Sequence, residues 1–207
     1  EAMNRGKHIV TANKAVLSKY WDEIFSLALR KKLLVYFEAA VGAGIPVIQS
    51  LNEGLAANKI QSIVGILNGT TNFILSKMTD DNMDFDEALK LAQKSGFAEA
   101  NPLLDLDGSD AAQKLSILAS IAFGNHLPFE KIHRGGISDI SPIDIRYAKN
   151  EFGYVLKLLA SVKNENGKIS ATVCPTLIDV EHPLAAVENE YNAIYIDGDS
   201  CGDIMLY

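Results

Sequence analysis

The chain has 207 residues, 48% of them hydrophobic and 22% charged, with a formal net charge of −7 and a sequence pI near 5.1. That is globular chemistry, and a chain of this length buries about 70% of the surface it exposes unfolded. Lys and Arg are scattered, so the basic stripe that a phosphate backbone needs is missing, and no apolar run approaches the roughly 20 residues that span a bilayer.

In chain order, Lys7-His-Ile-Val-Thr reads as a short strand. Asn13 reads as the N-cap for a helix running to about Lys32, with Val16, Leu17, Tyr20, Trp21, Ile24, Phe25 and Leu27 at helical spacing. Leu33-Leu-Val-Tyr-Phe-Glu-Ala is a continuous apolar run, expected as a strand buried on both faces. Val41-Gly-Ala-Gly-Ile-Pro turns into a helix to about Gly54, with Pro46 suited to its first turn. A strand over 60–67 ends at the turn signal Asn68-Gly69, and helices follow over 70–78 and 84–94, the second closed by Ser95-Gly96. Residues 97–108 read as a loop, 109–123 as a strongly apolar helix closed by Gly124, and Ser141-Pro as the start of another. Beyond Gly153, residues 154–162 and 169–180 form a hairpin around Asn164-Glu-Asn-Gly-Lys, and 193–196 and 204–207 add two short strands. The expected fold is α+β (α/β-like), a mixed β-sheet covered by helices.

Cys174 and Cys201, 27 residues apart, are expected to be small buried residues in a reducing compartment, with a disulfide as the alternative. No signal peptide opens the chain, so a cytoplasmic enzyme or binding domain is expected. The opening Glu1-Ala-Met-Asn and the closing apolar run Asp203-Ile-Met-Leu-Tyr read as the ends of a piece of a longer protein.

Gly42-x-Gly44 lies where a dinucleotide fingerprint would, but Val47 fills the third glycine position and no acidic residue ends a strand about 20 positions on. The same turn, with Glu38 at its edge and small residues through Gly44, could direct oxygens at a hard cation, or could be a tight turn and nothing more. The richest stretch is Gly96 to Lys114, where Glu99, Asp105, Asp107 and Asp110 fall within twelve residues. Asp110 and Lys114 are i and i+4 on an otherwise apolar helix, so they point together to a solvent edge or into a polar cleft. In a cleft, a lysine among carboxylates can donate a proton or anchor charge, and the ligand would be small, polar and amine-bearing. The four histidines, His8, His126, His133 and His182, show no metal-ligand spacing.

Four long segments, in one order and spacing, resemble homoserine dehydrogenases: Thr11-Ala-Asn-Lys14, Glu38 to Pro46, Gly65-Ile-Leu-Asn-Gly-Thr-Thr-Asn72, and Gly96-Phe-Ala-Glu-Ala-Asn-Pro through Asp110-Ala-Ala-Gln-Lys114. His182-Pro-Leu-Ala and Asn192-Ala-Ile resemble the C-terminal part of that family, so the likeness covers essentially the whole chain. The resemblance implies a dihydrodipicolinate-reductase-like catalytic domain over 15–207, with 1–14 as the tail of a nucleotide-binding domain. It implies NAD(P)-dependent interconversion of L-aspartate 4-semialdehyde and L-homoserine, in threonine and methionine biosynthesis.

By the same resemblance Lys114 is the proton donor and Asp110 the substrate-binding partner that orients it. Glu99, Asp105 and Thr70 belong to the substrate site, and Lys14, Gly96 and Glu99 approach the nicotinamide. Glu38, with the carbonyls of Val41, Ala43 and Ile45, matches a structural sodium site, and a cytoplasmic homodimer joined through the strand-rich tail is implied. The family's glycine-rich dinucleotide loop is not in this sequence, so the chain alone is expected to bind NAD(P) poorly and turn over negligibly. Two other readings stand beside the enzyme: an amino-acid sensor that uses the acidic loop as a receptor, and a Rossmann domain built on Gly42.

Overall fold

The computed structural model describes all 207 residues. Strands β1 (Ile9–Val10) and β2 (Val35–Tyr36) pair in parallel as a separate two-stranded ribbon. Between them lie α1 (Lys14–Lys19) and α2 (Trp21–Lys31). The helix expected over 13–32 is therefore broken at Tyr20, whose φ of −116° and ψ of 28° leave the helical range. The break lets α1 turn Leu17 into the main core while Trp21 and Phe25 of α2 pack with Phe37. No Gly or Pro marks it, so periodicity alone could not show it. The run 33–39 is likewise not a strand buried on both faces: only two residues pair, Leu34 and Tyr36 are exposed, and the chain bends into a 3₁₀ turn over Glu38–Ala40.

After the Gly42–Ala43 turn, both residues at positive φ, Pro46 precedes a short α3 (Val47–Gln49) that widens into a π-type turn over Ser50–Gly54. This is not the strand–helix setting of a Rossmann fingerprint. Strand β3 (Ile60–Ile66) leads to α4 (Gly69–Asp80), which Asn68 caps by accepting the Thr71 N–H. Then come α5 (Phe85–Lys94), a four-residue α6 (Leu103–Leu106) inside the expected loop, and α7 (Ser109–Phe123). Following β4 (His133–Arg134), α8 (Pro142–Phe152) is capped by Ser141 and closed by Gly153 at φ 69°. Strands β5 (Tyr154–Glu165), β6 (Lys168–Asp179), β7 (Ala193–Gly198) and β8 (Gly202–Leu206) complete the chain.

The main sheet has the order β4-β6-β5-β3-β7-β8, antiparallel except for the β4–β6 pair. Twelve residue pairs join β5 to β6 across Asn166-Gly167, both at positive φ, as a two-residue hairpin of the favoured hand requires. Helix α7 lies against β3, β5 and β6 and beside α1, with Leu115, Ile117 and Leu118 wholly buried. Burial of each such side chain stabilises by about 1.5–3 kcal/mol, which fixes the helix and whatever its first turn carries. A smaller apolar cluster of Ile66, Leu159, Leu184, Val187 and Ala193 forms beside it, flanked by the partly covered Val64, Ile178, Tyr195 and Met205. Both cysteines are free thiols, so the disulfide alternative fails; against expectation neither is buried, Cys174 being partly covered and Cys201 exposed in the turn between β7 and β8. No helix is long and apolar enough to cross a membrane.

Candidate active site

The site is assembled where three local features meet: the end of β3, the acidic turn after α6, and the first turns of α7. Gly108, at φ 81°, ends the acidic turn and starts α7, and the Asp107 carboxylate accepts the Ser109 N–H there. Because α7 is held by its apolar flank, Asp110 and Lys114 can project only from its polar start. Asp110 is 8% exposed. Its Oδ2 lies 2.7 Å from Lys114 Nζ, and its Oδ1 lies 3.1 Å from Lys14 Nζ on α1, so one carboxylate holds two ammonium groups.

Lys114 also donates to the Leu67 carbonyl at 2.6 Å. An ammonium has three N–H donors, and two are thus engaged within the protein. Asn68, which follows Leu67, donates through Nδ2 to Asp105 at 2.7 Å and to Asp110 at 2.9 Å. Its Oδ1 accepts from the Thr71 N–H at 2.8 Å, so the same side chain caps α4 and yokes the two carboxylates.

These contacts set the charges apart. Burial pushes Asp105 above the ordinary carboxylate range, as does Asp110, and the Asn68 hydrogen bond and the lysines offset this only in part. Burial also acts upward on Asp110, but there the Lys114 charge and the hydrogen bonds from Lys114 and Asn68 win and hold it low. Two carboxylates a few ångströms apart therefore differ: one is committed to the lysines, the other is in need of a cation.

Of the residues singled out from sequence, Lys114, Asp110, Asp105 and Lys14 come together. Thr70 is buried and donates to the Phe97 carbonyl, which ties the start of the Phe97–Glu99 stretch to α4 beside Asn68. Glu99 itself is exposed; its carbonyl accepts from Gln93, and its carboxylate joins none of the ion pairs of the cluster. Gly96 is at φ 81° with nothing within 4 Å of where a Cβ would stand, so its main chain is open to a flat ligand. The Glu38 carboxylate accepts the N–H groups of Ile48 at 2.8 Å and Gln49 at 2.9 Å, closing the turn into α3. With both carboxylate oxygens so engaged, a cation at this turn would rest on main-chain oxygens. The sequence reading missed Asn68 as a site residue, although an Asn immediately before a helix is a capping signal.

The model of the family described as homoserine dehydrogenase matches residues 46–207. The chain belongs to the homoserine dehydrogenase family. It is 49% identical over 211 residues to a homoserine dehydrogenase of Synechocystis and 43% identical over 207 to that of Bacillus subtilis, matching all of this chain and 48% of each relative. A homoserine dehydrogenase crystal structure from Thiobacillus denitrificans superposes with a TM-score of 0.97 at 48% identity, over all of this chain and 48% of that one. A hyperthermophilic archaeal homoserine dehydrogenase mutant in complex with NADPH gives 0.83 at 32% identity, over 99% of this chain and 59% of that one. The chain thus spans about half the length of these curated relatives. The α+β sheet with its helices is the fold of these homoserine dehydrogenases.

Proposed function

We propose that this chain is the catalytic, substrate-binding part of an NAD(P)-dependent homoserine dehydrogenase that interconverts L-aspartate 4-semialdehyde and L-homoserine. The observation that carries the reading is the Lys14–Asp110–Lys114 arrangement beside Asp105. Reduction of an aldehyde adds hydride at carbon and leaves negative charge on oxygen. The third N–H of Lys114 is free to face that oxygen, stabilise it and give it a proton; in the reverse direction the lysine takes the proton from the hydroxyl. Asp110 holds Lys114 in aim, while Asp105 offers a carboxylate to the substrate ammonium, with Glu99 and Thr70 completing that wall. When bound, the nicotinamide supplies or accepts the hydride. Lys14 and the bare main chain at Gly96, with Glu99, would hold its end of the site.

Residues 1–14 are then the tail of the nucleotide-binding part, whose β1 pairs with β2 of the catalytic part; Val10, Leu34 and Tyr36 leave that ribbon an apolar surface to pack against. A sodium ion would sit on the carbonyls of Val41 and Ala43 and their neighbours at Ile45 and Glu38, where the positive φ of Gly42 and Ala43 turns the main chain. A second copy would cover the partly open side chains Val64, Tyr195 and Met205 of the strand-rich region, giving a homodimer. Two free thiols suit a cytoplasmic setting.

Calorimetric titration of the chain with L-homoserine tests the reading. Saturable binding that is lost in Asp105→Ala supports it, and no binding by either form, or binding that ignores the substitution, overturns it. The sensor alternative is separated by turnover of the enzyme that contains this chain: aldehyde-dependent NADPH oxidation, which a sensor would lack.

A further inference from the structure

Lys157 lies in β5 and is 2% exposed, in the apolar run Val155 to Ala160. Its Nζ donates to the Val187 carbonyl at 2.6 Å and lies 3.3 Å from Asn72 Oδ1, and it joins no ion pair. Burial lowers its pKa to about 8, with Glu188 and Asp80 pulling the other way. A buried amine without a carboxylate partner costs stability, so the contacts it makes call for a reason.

Those contacts run to one place. Asn72 also donates through Nδ2 to the carbonyls of Val187 at 3.1 Å and Tyr191 at 3.2 Å. The Asn189 N–H donates to Ser76 Oγ at 2.9 Å, and a Cβ on Gly69 would lie 2.5 Å from the Glu190 carbonyl oxygen. Residues 187–191 are therefore laid along the first two turns of α4 and touch it at Gly69, Asn72 and Ser76. The residue that begins those turns is Asn68, whose amide yokes Asp105 to Asp110.

We propose that Lys157 is a positioning residue: by fastening the 187–191 segment against α4 it fixes the stance of Asn68, and so the spacing of the two carboxylates that receive the substrate. The proposal rests on the reading of that site as the homoserine site. Lys157 touches no substrate; it acts through Asn72 and the backbone packed on Gly69.

A double-mutant cycle on homoserine affinity tests it, using Lys157→Met, Asn68→Ala and the double variant of the chain. Lys157→Met should weaken binding about five-fold, the size of a typical coupling between linked residues, and should have no further effect once Asn68 is alanine. The side-chain carboxyl of Asp105, followed by NMR, should titrate higher in Lys157→Met, because the Asn68 hydrogen bond that lowers it is loosened. Additive losses, unchanged affinity or an unmoved Asp105 midpoint would overturn the proposal. Should Lys157→Met fail to fold, Ser76→Ala releases Asn189 from the same helix without touching the buried amine. Non-additivity with Asn68→Ala then supports the proposal and additivity overturns it. A wild-type chain that binds no homoserine would instead sink the functional reading, which keeps the two failures apart.

Discussion

Two lysines in this molecule make nearly the same contact and live under opposite conditions. Lys114 and Lys157 each donate to a main-chain carbonyl at 2.6 Å. Lys114 has the Asp110 carboxylate at 2.7 Å and a side chain 16% exposed, whereas Lys157 has an amide oxygen at 3.3 Å and is almost fully buried. A carboxylate pairs with the ammonium and aims it, and an edge of solvent leaves its third donor available; that suits proton transfer. An amide oxygen and a carbonyl engage two N–H groups of Lys157, and burial loosens its hold on the proton; that suits a fastening. The residue type is shared, and the partner decides the role.

The largest effect should come from removing the charge that the first environment protects. In the enzyme that contains this chain, Lys114→Met should lower kcat about 10³-fold, within the usual range for loss of a positioned acid, while homoserine affinity changes little. A loss in affinity alone would erase the contrast between the two lysines. Next, Asp110→Ala strips the counter-charge from both Lys14 and Lys114 and should cost about 3 kcal/mol in urea unfolding. Sign matters for its pH dependence: with its folded pKa held low, Asp110 adds stability above the ordinary carboxylate pKa, and that stability is lost as pH falls through the folded value. The acid limb of the stability curve should accordingly flatten in the variant.

Gly69→Ala tests the second region from its backbone side. The added Cβ would meet the Glu190 carbonyl oxygen, so about 2 kcal/mol of destabilisation is expected, against near neutrality for Gly54→Ala, where nothing lies within 4 Å. The most gradual effect, spread over more than two pH units, concerns Lys157 itself. Its folded pKa of about 8 lies below the ordinary lysine value of 10.5, so the folded state holds fewer protons than the unfolded state between those values. Stability should rise with pH across that window by on the order of 1 kcal/mol per pH unit, and Lys157→Met should lack that slope.

Much of this architecture was legible in the sequence because its elements are long and regular. The apolar helix over 109–123 and the hairpin around Asn166-Gly167 announce themselves by period and turn chemistry. The shorter pieces did not: a two-residue parallel pair and the four residues of α6 are below the length at which periodicity says anything. The Asp110–Lys114 pair was visible as i and i+4, but Lys14 on the same carboxylate is 96 residues from Asp110, a meeting only the packing of α1 on α7 produces. Asn68 was read as a turn residue, and its second task, holding two acids at once, depends on α6 and α7 arriving from elsewhere. Lys157 did carry a signal, a lone cation inside an apolar strand, whose partners lie 30 and 85 residues away.

The most direct test is the crystal structure of the complex with L-homoserine. The hydroxyl oxygen should lie within hydrogen-bonding distance of Lys114 Nζ, with the ammonium against the carboxylate of Asp105. A ligand whose hydroxyl points away from Lys114, or whose ammonium is held by residues outside this cluster, would contradict the account.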